Sequence, residues 1–432
     1  MDQHGLELAP SEVQGLEVVP GQNIHGYPED KADEPLASST AKGSRKRLLW
    51  IVGGIILVLV IVGAVVGGVV GSRASRSSAS KGITPPSPSP SPPSPSESST
   101  PKTNTTLKSI QLNSRLAVTG YRGNSDFQAR LFYQGPDNVL RYSDFNSTRN
   151  VWTSSALLGN LAPMAKTPIA ATTWLSTSPP QMNLYFVDQT SLLRGQRFQD
   201  SVTPAKGLSA DIYAYPMEID TSSRLAGYHP HLVSQDKNGK LRWLHWTAPD
   251  NWDNRTFDGG DAIGSPSSGL AALPAAVSNF TAGSFLFRNA AGEMTSFVGS
   301  TNGVLRDEWA WAQGGQVSTR IPADTAIGAF VYARSENLVN TYTLYQDDKG
   351  VLQVVWQNDA SGWQGPQTFP ALADADKGTD IACLIQATWD YTSVALSAAT
   401  DMNRCYFQSG GKVKEVWFDG KNWQDLGYLP IE

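Results

Sequence analysis

A unit of strand, tight turn and second strand recurs six times between Leu107 and Glu432, and no other feature limits so narrowly what this chain can fold into. Its copies start at Gln128, Gln181, His229, Glu293, Asn340 and Met402. Equivalent apolar positions, Leu140, Leu193, Leu241, Leu305, Leu352 and Val413, stand 53, 48, 64, 47 and 61 residues apart, a spacing that fits one four-stranded sheet per unit. Asn238-Gly239 and Asn302-Gly303 fall in the turns, where a two-residue hairpin needs positive φ. Small-residue strands precede the hairpins, as at Leu116, Ile169 and Ile381, and closing strands carry Trp152, Trp252, Trp363 and Trp423. Each unit would expose an apolar face that only a neighbour can cover, and closing the row into a ring covers all of them. The expected fold is all-β, a six-bladed β-propeller over residues 107–432.

Ahead of the repeat lies a different kind of chain. Leu48 to Gly71 contains no charged residue, and as a helix its 24 residues reach about 36 Å, enough to span a bilayer core of about 30 Å. A cleaved signal peptide would begin near residue 1, so the segment reads as a retained transmembrane helix. Lys42, Arg45, Lys46 and Arg47 crowd its N-terminal flank, which places the N-terminus in the cytosol and the repeat in a lumenal or extracellular space. The sequons at Asn104, Asn146, Asn254 and Asn279 all follow the anchor, in agreement with that orientation. Gly63, Gly67 and Gly71 recur every fourth residue, the spacing of a close helix pair and hence of a homodimer, although small residues are common in such helices for other reasons. Residues 1–47 are polar and without sustained period, which predicts a disordered tail. Residues 72–106 are rich in Pro, Ser and Thr and read as an extended stalk.

A net charge of -5 leaves no basic surface for nucleic acid, since the one Lys/Arg cluster is explained by the membrane. Cys383 and Cys405, the two cysteines of the chain, fall on what should be the first and second strands of the sixth unit. In an oxidising compartment a disulfide between them is expected, the alternative being two buried thiols. No CxxC or His/Cys grouping accompanies them, so neither a metal nor another cofactor is called for.

The units RLFYQ-turn-VLR and RCYFQ-turn-KVKE resemble the repeats of the fungal fucose-specific lectins of the Aleuria type, which are six-bladed propellers binding fucose between blades. The resemblance spans the repeat region and not the tail, anchor or stalk. It implies pockets in which an Arg on the second strand and a Glu twelve residues on hydrogen-bond sugar hydroxyls while an aromatic ring from the adjoining blade packs on the sugar. Carried onto this chain, the pairs are Arg130 with Tyr142, Asn183 with Gly195, His231 with Trp243, Thr295 with Asp307, Tyr342 with Val354, and Arg404 with Glu415. The last pair alone keeps both charges, at a spacing of eleven, and ring closure would bring Trp152 beside it as the aromatic wall.

His229, His231 and His245 stand near Trp243 and Trp246, which suggests a polar aromatic patch with His231 replacing the Arg as a donor, and no fourth metal ligand accompanies them. Sialidase boxes, Gly-x-Ser-x-Gly and His-Glu-x-x-His are absent, so nothing points to an enzyme. The reading that follows is a non-catalytic, membrane-anchored lectin for fucosylated or related glycans. The alternatives are an interaction propeller that has lost its sugar sites and, with less support, a glycosidase.

Overall fold

The computed structural model describes residues 110–431 apart from 155, 160, 176–178, 199–218, 221, 237, 248–250, 258–261, 279–281, 301–309, 358–361 and 389–393. The tail, the expected membrane helix at Leu48 to Gly71 and the stalk lie outside these residues, as do Asn104, Asn279 and Asp307. Among the described residues, no helix is long and apolar enough to cross a membrane.

Six antiparallel sheets follow one another along the chain. Blade one is built from β1 (Leu116–Arg122), β2 (Phe127–Gln134), β3 (Leu140–Asn146) and β4 (Val151–Trp152), with β5 (Ala156–Leu157) also on β3. Blade two has β6 (Ile169–Trp174), β7 (Gln181–Val187) and β8 (Leu193–Phe198). Blade three has β9 (Ala226–Tyr228), β10 (His231–Gln235), β11 (Leu241–Thr247) and β12 (Asn251–Thr256). Blade four follows with β13 (Leu270–Pro274), β14 (Ala282–Arg288), β15 (Glu293–Ser300) and β16 (Ala310–Arg320). Blade five has β17 (Ile327–Ala333), β18 (Val339–Gln346), β19 (Leu352–Gln357) and β20 (Gln364–Gln367). Blade six has β21 (Ile381–Cys383), β22 (Arg404–Ser409), β23 (Lys412–Phe418) and β24 (Trp423–Tyr428).

Because side chains alternate across a strand, each second strand feeds two different cores. Leu131 and Tyr133 pack with Tyr406 and Val413 of blade six, while Phe132 packs with Leu184 and Phe198 of blade two. Six buried clusters result, one at each junction between blades, and the cluster joining blade six to blade one closes the ring. The first strands line the axis with Ala117, Ala170, Ala226, Ala271, Gly328 and Ala382, the small residues that the crowding there requires. An added Cβ on Gly328 would lie 2.4 Å from Ile381 of the next blade.

Two side-chain devices repeat with the blades. Ser114, Thr167, Ser223, Ser268, Thr325 and Thr379, each two or three residues ahead of a first strand, use a hydroxyl to accept an amide from the end of the second strand, at 2.7–3.1 Å. Four of those donors are Gln134, Gln235, Gln346 and Gln408, whose side-chain amides reach into the adjoining blade at Met164, Ser265, Asp376 and Gln111. The Arg or Gln that opens many third strands answers to the turn. Asp188, Asp236 and Asp347 cap their own turn amides and bind Arg194, Arg242 and Gln353. Hydrogen bonds from these partners hold the three carboxyls below their ordinary value against the opposing effect of burial.

The fourth unit departs from its sequence assignment. Its second and third strands are β14 and β15, joined at Asn289–Gly292, so the equivalent of Leu140 is Met294 and not Leu305. The reassignment changes the flanking intervals from 64 and 47 residues to 53 and 58. Asn302-Gly303 carries the stronger turn signal and drew the hairpin one strand too far. Thr295 consequently sits on the third strand, and its pairing with Asp307 has no counterpart in the other blades.

The expected disulfide links Cys383 and Cys405, which face each other on β21 and β22. Of the sequon residues, Asn146 ends β3 half-buried, and its amide oxygen accepts from the Arg149 amide at 3.1 Å. Asn254 lies on β12.

Candidate functional site

The structure brings Arg404, Glu415 and Trp152 together where blade six meets blade one. On β22 and β23, Tyr406 faces Glu415 directly and Arg404 lies diagonal to it, two residues away along the strand. The Glu415 carboxylate accepts from the Arg404 guanidinium at 2.8 Å and the Tyr406 hydroxyl at 3.0 Å on one oxygen. Its other oxygen accepts from the Trp152 indole, reaching across the junction from β4, at 2.9 Å. Arg404 Nε donates to the Asp401 carbonyl at 2.8 Å, and its guanidinium carbon stands 4.7 Å from the Phe145 ring centre. Arg122 of β1 forms a two-pronged ion pair with Asp401 beside this group. Burial, reinforced by the neighbouring Glu415 charge, holds the Tyr406 phenol well above its ordinary value, so it is a neutral donor. With exposures of 8, 5 and 8 %, Arg404, Glu415 and Trp152 form a closed polar knot in which both carboxylate oxygens are already engaged.

Blade one pairs the same kind of buried guanidinium with a more open carboxylate. Arg130 is 2 % exposed and lies directly across the hairpin from Asp144, which it grips with Nε at 2.6 Å and Nη2 at 2.9 Å. Tyr142, its expected partner, supplies no carboxylate. Its ring centre lies 4.5 Å from the guanidinium carbon, and that of Phe198, from blade two, lies 4.9 Å away. Asp144 escaped the sequence reading because the family spacing of twelve marks the diagonal position, whereas the residue directly opposite Arg130 is fourteen further on. Asp144 keeps 22 % of its side chain exposed and lines a shallow, solvent-open cleft with Tyr121, Gln128, Pro179, Pro180 and Phe198. The Tyr121 phenol is raised by burial, and is likewise a neutral group at the rim.

The remaining junctions have other chemistry. Asn183 faces Arg197 beside a small cleft walled by Trp174, His229, Trp246 and Trp252. His231 is fully buried, accepts from the Trp243 indole at 2.9 Å, and stands 3.3 Å from His245 through their Nδ1 atoms. Burial, with the nearby histidines second, pushes His231 well below its ordinary value and His229 down to about 3, so both are neutral core groups. Ser284 and Ser296 occupy the corresponding positions in blade four, and Tyr342 and Val354 in blade five, where Tyr342 packs against Phe418.

No family model matches the chain, and no curated protein is similar to it. Solved structures are. The fucose-specific lectin of Aleuria aurantia superposes with a TM-score of 0.59 at 18% identity, over 75% of this chain and 97% of that one. AofleA from Arthrobotrys oligospora gives 0.56 at 17% identity, over 74% and 89%, and the SapL1 lectin, solved with alpha methyl fucoside, gives 0.55 at 16% identity, over 75% and 99%. Residues 110–431 therefore share the six-bladed propeller fold of the Aleuria lectin.

Proposed function

We propose that this protein is a non-catalytic carbohydrate-binding propeller, held at a membrane by Leu48 to Gly71, that takes fucosylated or related glycans in pockets between blades. The observation that carries the reading is the Arg130–Asp144 pair, which lines a shallow solvent-open cleft together with Tyr121. A guanidinium and a carboxylate in fixed register offer donors and acceptors to vicinal hydroxyls, and the partly exposed Tyr121 supplies an apolar face for the sugar ring. Arg404, Glu415 and Trp152 repeat the pairing of guanidinium and carboxylate, but their groups are spent on one another, so the open pocket of blade one is the site proposed for the sugar. The solved structures it resembles include a fucose-specific lectin and complexes with fucosides, which supports this ligand class.

Calorimetric titration of methyl α-fucoside into the full-length protein should show binding that Arg130→Met weakens by about ten- to hundredfold, the worth of a charge-assisted hydrogen bond. Absence of binding in the parent protein would move the assignment to an interaction propeller. That second reading is favoured by the junctions of blades two to five, none of which keeps an Arg paired with a carboxylate at the family positions. The topology is tested separately by endoglycosidase treatment, which should lower the mass of the expressed protein if Asn104, Asn146, Asn254 or Asn279 faces the lumen.

A further inference from the structure

At one end of the axial channel, the described residues of the stretch between β21 and β22 are fastened to several blades: Tyr228 bonds Thr388, the Leu396 amide donates to Val277 at 2.8 Å, and Gln386 bridges to Gly120. Ile385 of this stretch lines the channel itself. The other end opens into a small vestibule. Its floor is a complete ring of branched aliphatic residues, one from each blade: Leu116, Ile169, Leu225, Leu270, Ile327 and Ile381. The residues just ahead of that ring form the rim, and three of them are Arg115, Arg224 and Asp380.

The charges on the rim do not cancel locally. Asp380 is satisfied on both oxygens, by the Arg224 guanidinium and by the Leu116 amide at 2.8 Å. Arg224 also donates to the Asp324 carbonyl at 2.9 Å, and is 6 % exposed. Arg115 has no ion pair among the described residues, and the Nε atoms of both Arg115 and Arg224 are buried without an acceptor. A buried guanidinium N–H lacking an acceptor is costly, and both of these arginines line the vestibule above its aliphatic floor. Asp324, whose field also reaches Arg224, is exposed on the surface and screened by solvent.

We infer that this vestibule is a binding site for a small amphiphilic monocarboxylate, with the carboxylate on Arg115 and Arg224 and the alkyl chain directed onto the aliphatic ring. A guanidinium edge receives a carboxylate in two parallel hydrogen bonds, and the ring accepts methylenes without any polar group to desolvate. A sugar is the wrong ligand, because the floor has no hydrogen-bonding side chain for its hydroxyls. The site is therefore independent of the pockets between blades.

Sodium butyrate, pentanoate and hexanoate titrated calorimetrically into the full-length protein in lipid nanodiscs, against protein-free nanodiscs, test this directly. Each added methylene should tighten binding about fourfold. Hexanol should bind at least about tenfold more weakly than hexanoate, Arg115→Met should lower hexanoate affinity by a similar factor, and saturating methyl α-fucoside should change neither. Unmeasurable hexanoate binding to the parent protein overturns the inference. So does affinity independent of chain length, or inorganic phosphate binding as tightly as hexanoate, since either makes the vestibule a bare anion site. The chain-length series uses only the parent protein and so does not depend on the variant folding.

Discussion

Glu415→Gln separates the two things the knot between blades six and one could be for. The substitution keeps shape and removes the charge, leaving the Arg404 guanidinium buried without its counter-ion and putting an amide NH2 where one of its three donors now points. Breaking a buried pair by removing one partner costs about 3–5 kcal/mol, and here the loss falls on the junction that closes the ring. In thermal unfolding followed by tryptophan fluorescence, the variant should melt several degrees below the parent, and Trp152→Phe, which deletes one donor, should lose a smaller part of that, about 1–3 kcal/mol. Methyl α-fucoside binding at the Arg130 pocket, a blade away, should survive in both. If Glu415→Gln melts with the parent yet abolishes fucoside binding, the carboxylate is held for the ligand and the structural account given above is wrong.

Three further outcomes follow from the geometry. Gln408→Ala removes the amide that reaches the Gln111 carbonyl at 2.9 Å, and should destabilise the ring by about 1–3 kcal/mol in denaturant titration, whereas no change would show that this contact is replaced by water. Reduction of the Cys383–Cys405 disulfide, which spans 22 residues, should lower stability by about 3 kcal/mol, and equal melting with and without reductant would refute that. His229 and His231 are held neutral in the fold, with folded pKa values below the unfolded one, so their contribution is complete above pH of about 6.5 and lost as pH falls below it, for His229 toward about 3. Each takes up a proton on unfolding, which makes stability fall by about 1.4 kcal/mol per pH unit per histidine below that point, and an unchanged melting temperature between pH 7.5 and 5.5 would contradict their burial.

The repeat made the blade count legible because its strongest signals, Gln or an equivalent followed by a turn and then Leu, report local hydrogen bonding that each blade must satisfy alone. Trp152 meeting Glu415 was also legible, since closure of a ring dictates which blades adjoin. Two misreadings have a common origin. The fourth hairpin was placed at Asn302-Gly303 because positive φ advertises itself in sequence, while the true turn at Asn289–Gly292 relies on one Gly at φ 84° and carries no such dipeptide. Asp144 was passed over because a spacing rule picks one residue across a hairpin, whereas a long Arg side chain reaches both the opposite and the diagonal positions. The hydroxyl ladder from Ser114 to Thr379 stood in plain view as a Ser or Thr two residues before Leu or Ile, but its meaning depends on a strand end that lies 12 to 29 residues away.

No strand is exchanged at the seam between the last blade and the first: β21 to β24 form a sheet from consecutive chain, and so do β1 to β4. Closure is thus the docking of two finished surfaces, through contacts separated by 263 to 297 residues, whose loop entropy is the largest in the fold. Mechanically, the seam is also where the chain arrives. A pull transmitted through the residues before Ile110 reaches first the Gln111 carbonyl held by Gln408, then the Ser114 hydroxyl, then the Leu116 amide held by Asp380. Tension entering the ring this way falls on non-covalent contacts between blade six and blade one, and would part them by separating two blades before any sheet unravels.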